Sequence, residues 1–107
     1  MAISQGVMFH GRSNMTAEER LLENGYDGVK YLTNYSYDSA LIGVSHNNRA
    51  IYDYDLMVKW LMEKEEFTEE EAFEWIDFNT IQALPYMGGD GPIIIYRFIE
   101  AFDDWLK

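Results

Sequence analysis

The residues that could do acid–base or metal chemistry are few and widely spaced. His10 and His46 are the two histidines, and neither has a second histidine or a carboxylate at metal-ligand spacing. The chain has no cysteine, which excludes disulfides, thiolate metal sites and a cysteine nucleophile and fits a reducing cytosol. Gly88-Gly89-Asp90-Gly91 is not a phosphate loop: no Gly-Lys-Ser/Thr follows, the segment leads into an apolar strand, and its acid repels phosphate. Asp53 and Asp55 lie close together, but helix capping accounts for both. With no nucleophile–base pairing visible, an enzyme is not expected, and neither is a cofactor or a metal. What remains is carboxylates in quantity, whose chemistry is charge complementarity.

Nineteen acidic residues against eight basic ones leave a net charge of −11. The excess is concentrated: ten acids and two lysines fall between Asp53 and Asp77, and no Lys or Arg occurs from Glu65 to Tyr96. So negative a chain lacks the basic footprint of a nonspecific nucleic-acid binder, so direct nucleic-acid binding is not expected. The acid-rich stretch is helical in pattern and lacks the loop spacing of a calcium site. Its ordinary role is a solvated helix face; its functional role would be a surface addressed to a basic partner.

Two helices must position those acids. The first begins at Asp53 or Asp55, and Tyr54, Met57, Val58, Leu61 and Met62 form its apolar face, widened by Leu56 and Trp60. Glu63-Lys64-Glu65-Glu66 marks its solvated end. Thr68 and Glu71 form a capping box that opens the second helix, with Glu69, Glu70 and Glu71 at the positive end of its dipole. That helix is predicted to reach Leu84 and stop at Pro85. Ala72, Phe73, Ile76, Thr80, Ala83 and Leu84 share its apolar face. Glu70, Glu74 and Asp77 line the opposite one, with Phe78 and Ile81 beside them.

The remaining chain supplies a small sheet and short flanking pieces. Residues 1–14 show no clear period and read as an extension or arm before a single domain over 15–107. Thr16 and Glu19 form another capping box, opening a short helix from Ala17 to Asn24 that Gly25 ends. Gly28 to Tyr35 alternates and reads as a short strand. Ala40–Val44 and Ala50–Tyr52 flank a hairpin turn at Asn47-Asn48. Pro92 to Arg97 reads as a buried central strand, and Ile99 to Leu106 as a short terminal helix. The expected fold class is α+β: a small, mainly antiparallel three-stranded sheet packed on a helical hairpin, with short N- and C-terminal helices. No run approaches the roughly 18 apolar residues of a membrane span and no signal-peptide pattern opens the chain, so a membrane partner is not expected.

The phrases SYDSALIGVSHNNRAIYDYD, EEEAFEWIDFNTIQALPYMG and GPIIIY resemble a group of small acidic proteins encoded by phages, prophages and mobile elements. The resemblance covers about Asp38 to Tyr96 and carries no catalytic motif. Its best-matching residues, Tyr52, Asp53, Trp75, Asn79, Thr80, Ala83, Leu84 and Pro85, look architectural. In type, though not in motif, the chain is also similar to anti-CRISPR proteins.

Two functions follow as expectations. In the first, a non-catalytic inhibitor from a phage or mobile element acts in the bacterial cytoplasm, binding a basic nucleic-acid-handling protein such as a CRISPR-associated nuclease through a face that partly mimics nucleic acid. Its charged part would be Glu66, Glu69, Glu70, Glu74 and Asp77, with Phe78 and Ile81 as apolar anchors and Trp75, Tyr86 and Met87 nearby. Glu71 is expected to be occupied with capping. The alternative is a phage accessory or assembly module that homodimerises through an apolar patch, its acidity serving solubility.

Overall fold

The computed structural model describes residues 15–98. The expected arm over residues 1–14 and the helix expected from Ile99 to Leu106 lie outside the described residues. Both capping boxes form. Thr16 and Glu19 exchange backbone-to-side-chain hydrogen bonds of 2.9 and 3.1 Å at the start of α1 (Ala17–Glu23). Gly25, just past its end, has φ +87°, a conformation that glycine adopts without steric cost. A 3-10 turn over Asp38–Ala40 ties down α1: the Asp38 carboxylate accepts from the Ala17 amide at 2.8 Å, and its carbonyl accepts from the Arg20 guanidinium.

β1 (Leu41–Val44) and β2 (Ala50–Asp53) pair antiparallel around the expected turn, with Asn48 in the left-handed region at φ 63°. The register slips between Leu41 and Gly43, leaving Ile42 as the extra residue of a bulge, and Ile42 is exposed. β3 (Ile93–Ile95) pairs with the other side of β2, in parallel. The sheet is therefore mixed, in the order β1-β2-β3, where a mainly antiparallel one was expected. The helices between β2 and β3 form a crossover that carries the chain back before β3 begins, so the two strands run the same way. The Ile93–Ile95 run is correspondingly an edge strand, half-buried throughout, and β2 is the central one. Of the three isoleucines, Ile94 packs against the core.

Gly28 to Tyr35 is not a strand. Leu32 turns inward and its amide donates to the Tyr52 hydroxyl at 3.1 Å, so its hydrogen bond goes to a side chain and not to a ladder. Asp53 caps α2 (Tyr54–Lys64), its carboxylate accepting from the Leu56 amide at 3.0 Å. Met57, Val58 and Leu61 are buried, Tyr54, Leu56 and Trp60 pack against the core, and Met62 faces outward. Glu66 makes the turn to the next helix with φ 59°.

α3 (Glu69–Trp75) starts at its capping box, with hydrogen bonds of 2.8 and 3.1 Å between Thr68 and Glu71. It does not continue regularly to Leu84. A π-helical turn over Ile76–Thr80 widens the spiral, and a 3-10 stretch over Ile81–Met87 carries it past Pro85. The 100° periodicity fails across this irregularity. Ala72, Ile76 and Thr80 are buried as expected, but Ala83 is exposed and Phe73 sits at the surface. Tyr37, Tyr52, Met57, Leu61 and Ile76 are the largest fully buried side chains, drawn from a loop, β2, α2 and the π turn into one core.

Candidate acidic and aromatic surface

The hairpin of α2 and α3 is filled by rings. Tyr35 meets Trp75 at 5.1 Å and Trp60 at 5.9 Å between centroids, Tyr37 meets Trp60 at 5.3 Å, and Phe67 meets Trp75 at 6.0 Å. Tyr37 is buried with its hydroxyl 3.2 Å from Thr80 Oγ1. Burial raises the Tyr37 hydroxyl above the usual tyrosine range, and the Thr80 hydrogen bond partly offsets this. Among the described residues the buried indole nitrogen of Trp75 has no well-formed hydrogen bond; its nearness to the Tyr37 hydroxyl favours the ionised form of that group. This cluster gives the short α3 a stiff floor.

α3 and the turn before it carry the carboxylates. Glu66, Glu69, Glu70 and Glu74 are exposed, and none is in an ion pair among the described residues. Glu71 is engaged through Oε1 with the Thr68 amide, as expected of a capping residue. Phe78, within the π turn, is 67% exposed. Phe67, Glu71, Glu74, Trp75, Phe78 and Asn79 line a shallow groove of about 260 Å³.

The other two residues of the expected face go elsewhere. Asp77 lies beside the Tyr54 hydroxyl, in a second cluster where Tyr54 stacks on Phe73 at 6.1 Å and meets Tyr96 at 4.7 Å. Burial first, and then the Asp77 charge, push Tyr54 up to about 12 and raise Tyr96 as well. Ile81 is half-buried against the core. Of the neighbouring anchors, Trp75 and Met87 also pack against the core, whereas Tyr86 is 90% exposed.

Sequence reasoning missed Asn79 as a surface residue and Tyr35 as part of the floor. The first depends on the π turn, which no periodicity announces; the aromatic density of Tyr31-Leu32-Thr33-Asn34-Tyr35-Ser36-Tyr37 was the available signal for the second. His46 is exposed on the hairpin turn, and His10 lies outside the described residues. Among the described residues no three His, Asp or Glu side chains are grouped to hold a metal ion, and no helix is long and apolar enough to cross a membrane. What this surface can do is attract and orient a cation. No family model, curated protein or solved structure matches the chain.

Proposed function

We propose that this protein is a non-catalytic inhibitor, carried by a phage or mobile element, that occupies the basic nucleic-acid groove of a bacterial defence nuclease of the CRISPR-associated kind in the host cytoplasm. One observation carries the reading: Glu66, Glu69, Glu70 and Glu74 are exposed and, among the described residues, in no ion pair, and Glu74 shares a groove with the exposed ring of Phe78. Glu70 and Glu74 are separated by about 6 Å along the helix axis. A groove built for phosphates would be drawn to that row, and long-range attraction would speed association. Phe78 would add the apolar anchor that charge lacks. Asp77, also exposed, lies beside the Tyr54 hydroxyl, and Ile81 is half-buried against the core, so the contact is centred on the four glutamates and Phe78.

The test is DNA cleavage by purified CRISPR-associated nucleases with and without the protein, at several salt concentrations. Inhibition that weakens with salt, and falls at least ten-fold when Glu69, Glu70 and Glu74 are all changed to Gln, is the expected result. Unchanged inhibition by the folded triple variant rejects the mechanism. The exposed Phe78 and Tyr86 favour, as a second reading, a homodimer formed through apolar contact. Sedimentation would then show a dimer that persists at high salt.

A further inference from the structure

We infer that the groove beside α3 is the seat of an arginine side chain presented by the partner protein, an assignment that deepens the inhibitor reading and rests on it. Three aromatic residues, Phe67, Trp75 and Phe78, line the groove together with the acids Glu71 and Glu74. Oε1 of Glu71 is committed to the Thr68 amide, which leaves Oε2 available to a ligand. This chain carries no Lys or Arg from Glu65 to Tyr96, so the segment that builds most of the groove brings no cation of its own.

Rings and carboxylates lining one groove suit a cation with a flat, weakly hydrated face. A guanidinium stacks on aromatic faces while its edge N–H groups reach carboxylate oxygens. An ammonium holds its water more tightly and has no plane to stack. A phosphate or an acidic peptide would be repelled by Glu71 and Glu74, and a purely apolar side chain would leave those acids facing it without a partner.

A residue shared with a second cleft indicates how the partner's backbone runs. Asn79 lines this groove and also a second cleft of about 210 Å³, bounded by Tyr35, Asn34, Ala83 and Met87. Tyr35 and Trp75, in contact with each other, belong one to each cleft. The π turn that displaces Asn79 outward therefore places an amide, able to donate and accept, at the junction. The segment flanking the arginine passes over Asn79, and its next side chain enters the less charged cleft.

The experiment titrates the full-length, ¹⁵N-labelled protein with nona-arginine and, separately, nona-lysine, following the Trp75 indole resonance assigned with Trp75→Phe. Nona-arginine should shift that resonance to saturation, with nona-lysine at least ten-fold weaker. Phe78→Ala and Glu74→Gln should each weaken arginine binding at least five-fold, while Phe78→Tyr retains it. Glu23→Gln, which removes an exposed acid on α1 that does not line the groove, should change it less than two-fold. Equal affinity for the two peptides, or a Phe78→Ala protein that binds as the parent does, overturns the assignment and leaves only diffuse charge attraction. If arginine preference is absent while nuclease inhibition still depends on Glu69, Glu70 and Glu74, the groove assignment fails and the inhibitor reading stands. If arginine is preferred but no nuclease is inhibited, the reading fails and the groove stands.

Discussion

Asp53 and Arg97 join the start of α2 to the chain that leaves β3. Oδ1 of Asp53 caps the helix at Leu56, and Oδ2 lies 2.6 Å from Arg97 Nε. Asp53 is 2% exposed, whereas the Arg97 side chain is 43% exposed and also reaches Asp55 at 3.9 Å. A carboxylate this deeply buried depends on both partners. Arg97→Ala leaves it half-satisfied and should cost about 2 kcal/mol, below the full value for a buried pair because the arginine is partly solvated. Asp53→Asn keeps a capping oxygen and should cost less than Asp53→Ala. Urea unfolding of the three variants checks the order.

The hydroxyls of Tyr37 and Thr80 satisfy each other inside the core at 3.2 Å. Removing one orphans the other. Tyr37→Phe and Thr80→Val should each lose about 1–2 kcal/mol, and the double variant should lose less than the sum of the two. A double-mutant cycle on unfolding free energies measures the coupling.

Stability should fall in alkali by a route that the sequence's acidity conceals. Burial pushes the Tyr52 hydroxyl up to about 12, partly offset by the hydrogen bond from the Leu32 amide. A folded-state value above the unfolded one of about 10 contributes stability that is fully present below pH 10 and lost as pH rises toward 12. The expected loss from Tyr52 is about 1.4 kcal/mol by pH 11. Tyr52→Phe should be less stable at neutral pH, yet should show a shallower decline between pH 9.5 and roughly 11.5. Denaturant unfolding across that range, with tyrosine absorbance as an independent titration, tests the sign.

Glu66 occupies the left-handed region at φ 59°, where a side chain costs more than glycine does. Glu66→Gly should stabilise the fold by about 0.5–1 kcal/mol. Thr68→Ala, two residues on, removes a cap and should destabilise by about 1 kcal/mol. Thermal melts of the two variants should move in opposite directions.

Local chemistry was readable from sequence wherever neighbouring residues settle it. Thr16 with Glu19, Thr68 with Glu71, Asp53 ahead of Tyr54 and Asn48 in the hairpin turn all act within four residues of themselves, and each formed as expected. The crowding of carboxylates near α3 is likewise a property of the chain alone. The tertiary structure decided which way β3 runs, since the crossover through two helices lies beyond any local signal. It also decided which acids share a face. One π turn after Trp75 breaks the 3.6-residue repeat: Asn79 reaches the groove, Asp77 lies beside Tyr54 and Ile81 rests on the core, while Phe78 keeps the outward side that the repeat gives it. Periodicity assumes an undistorted helix, and here the hydroxyl of Thr80 meets that of Tyr37, distant in sequence, at the end of the distorted turn.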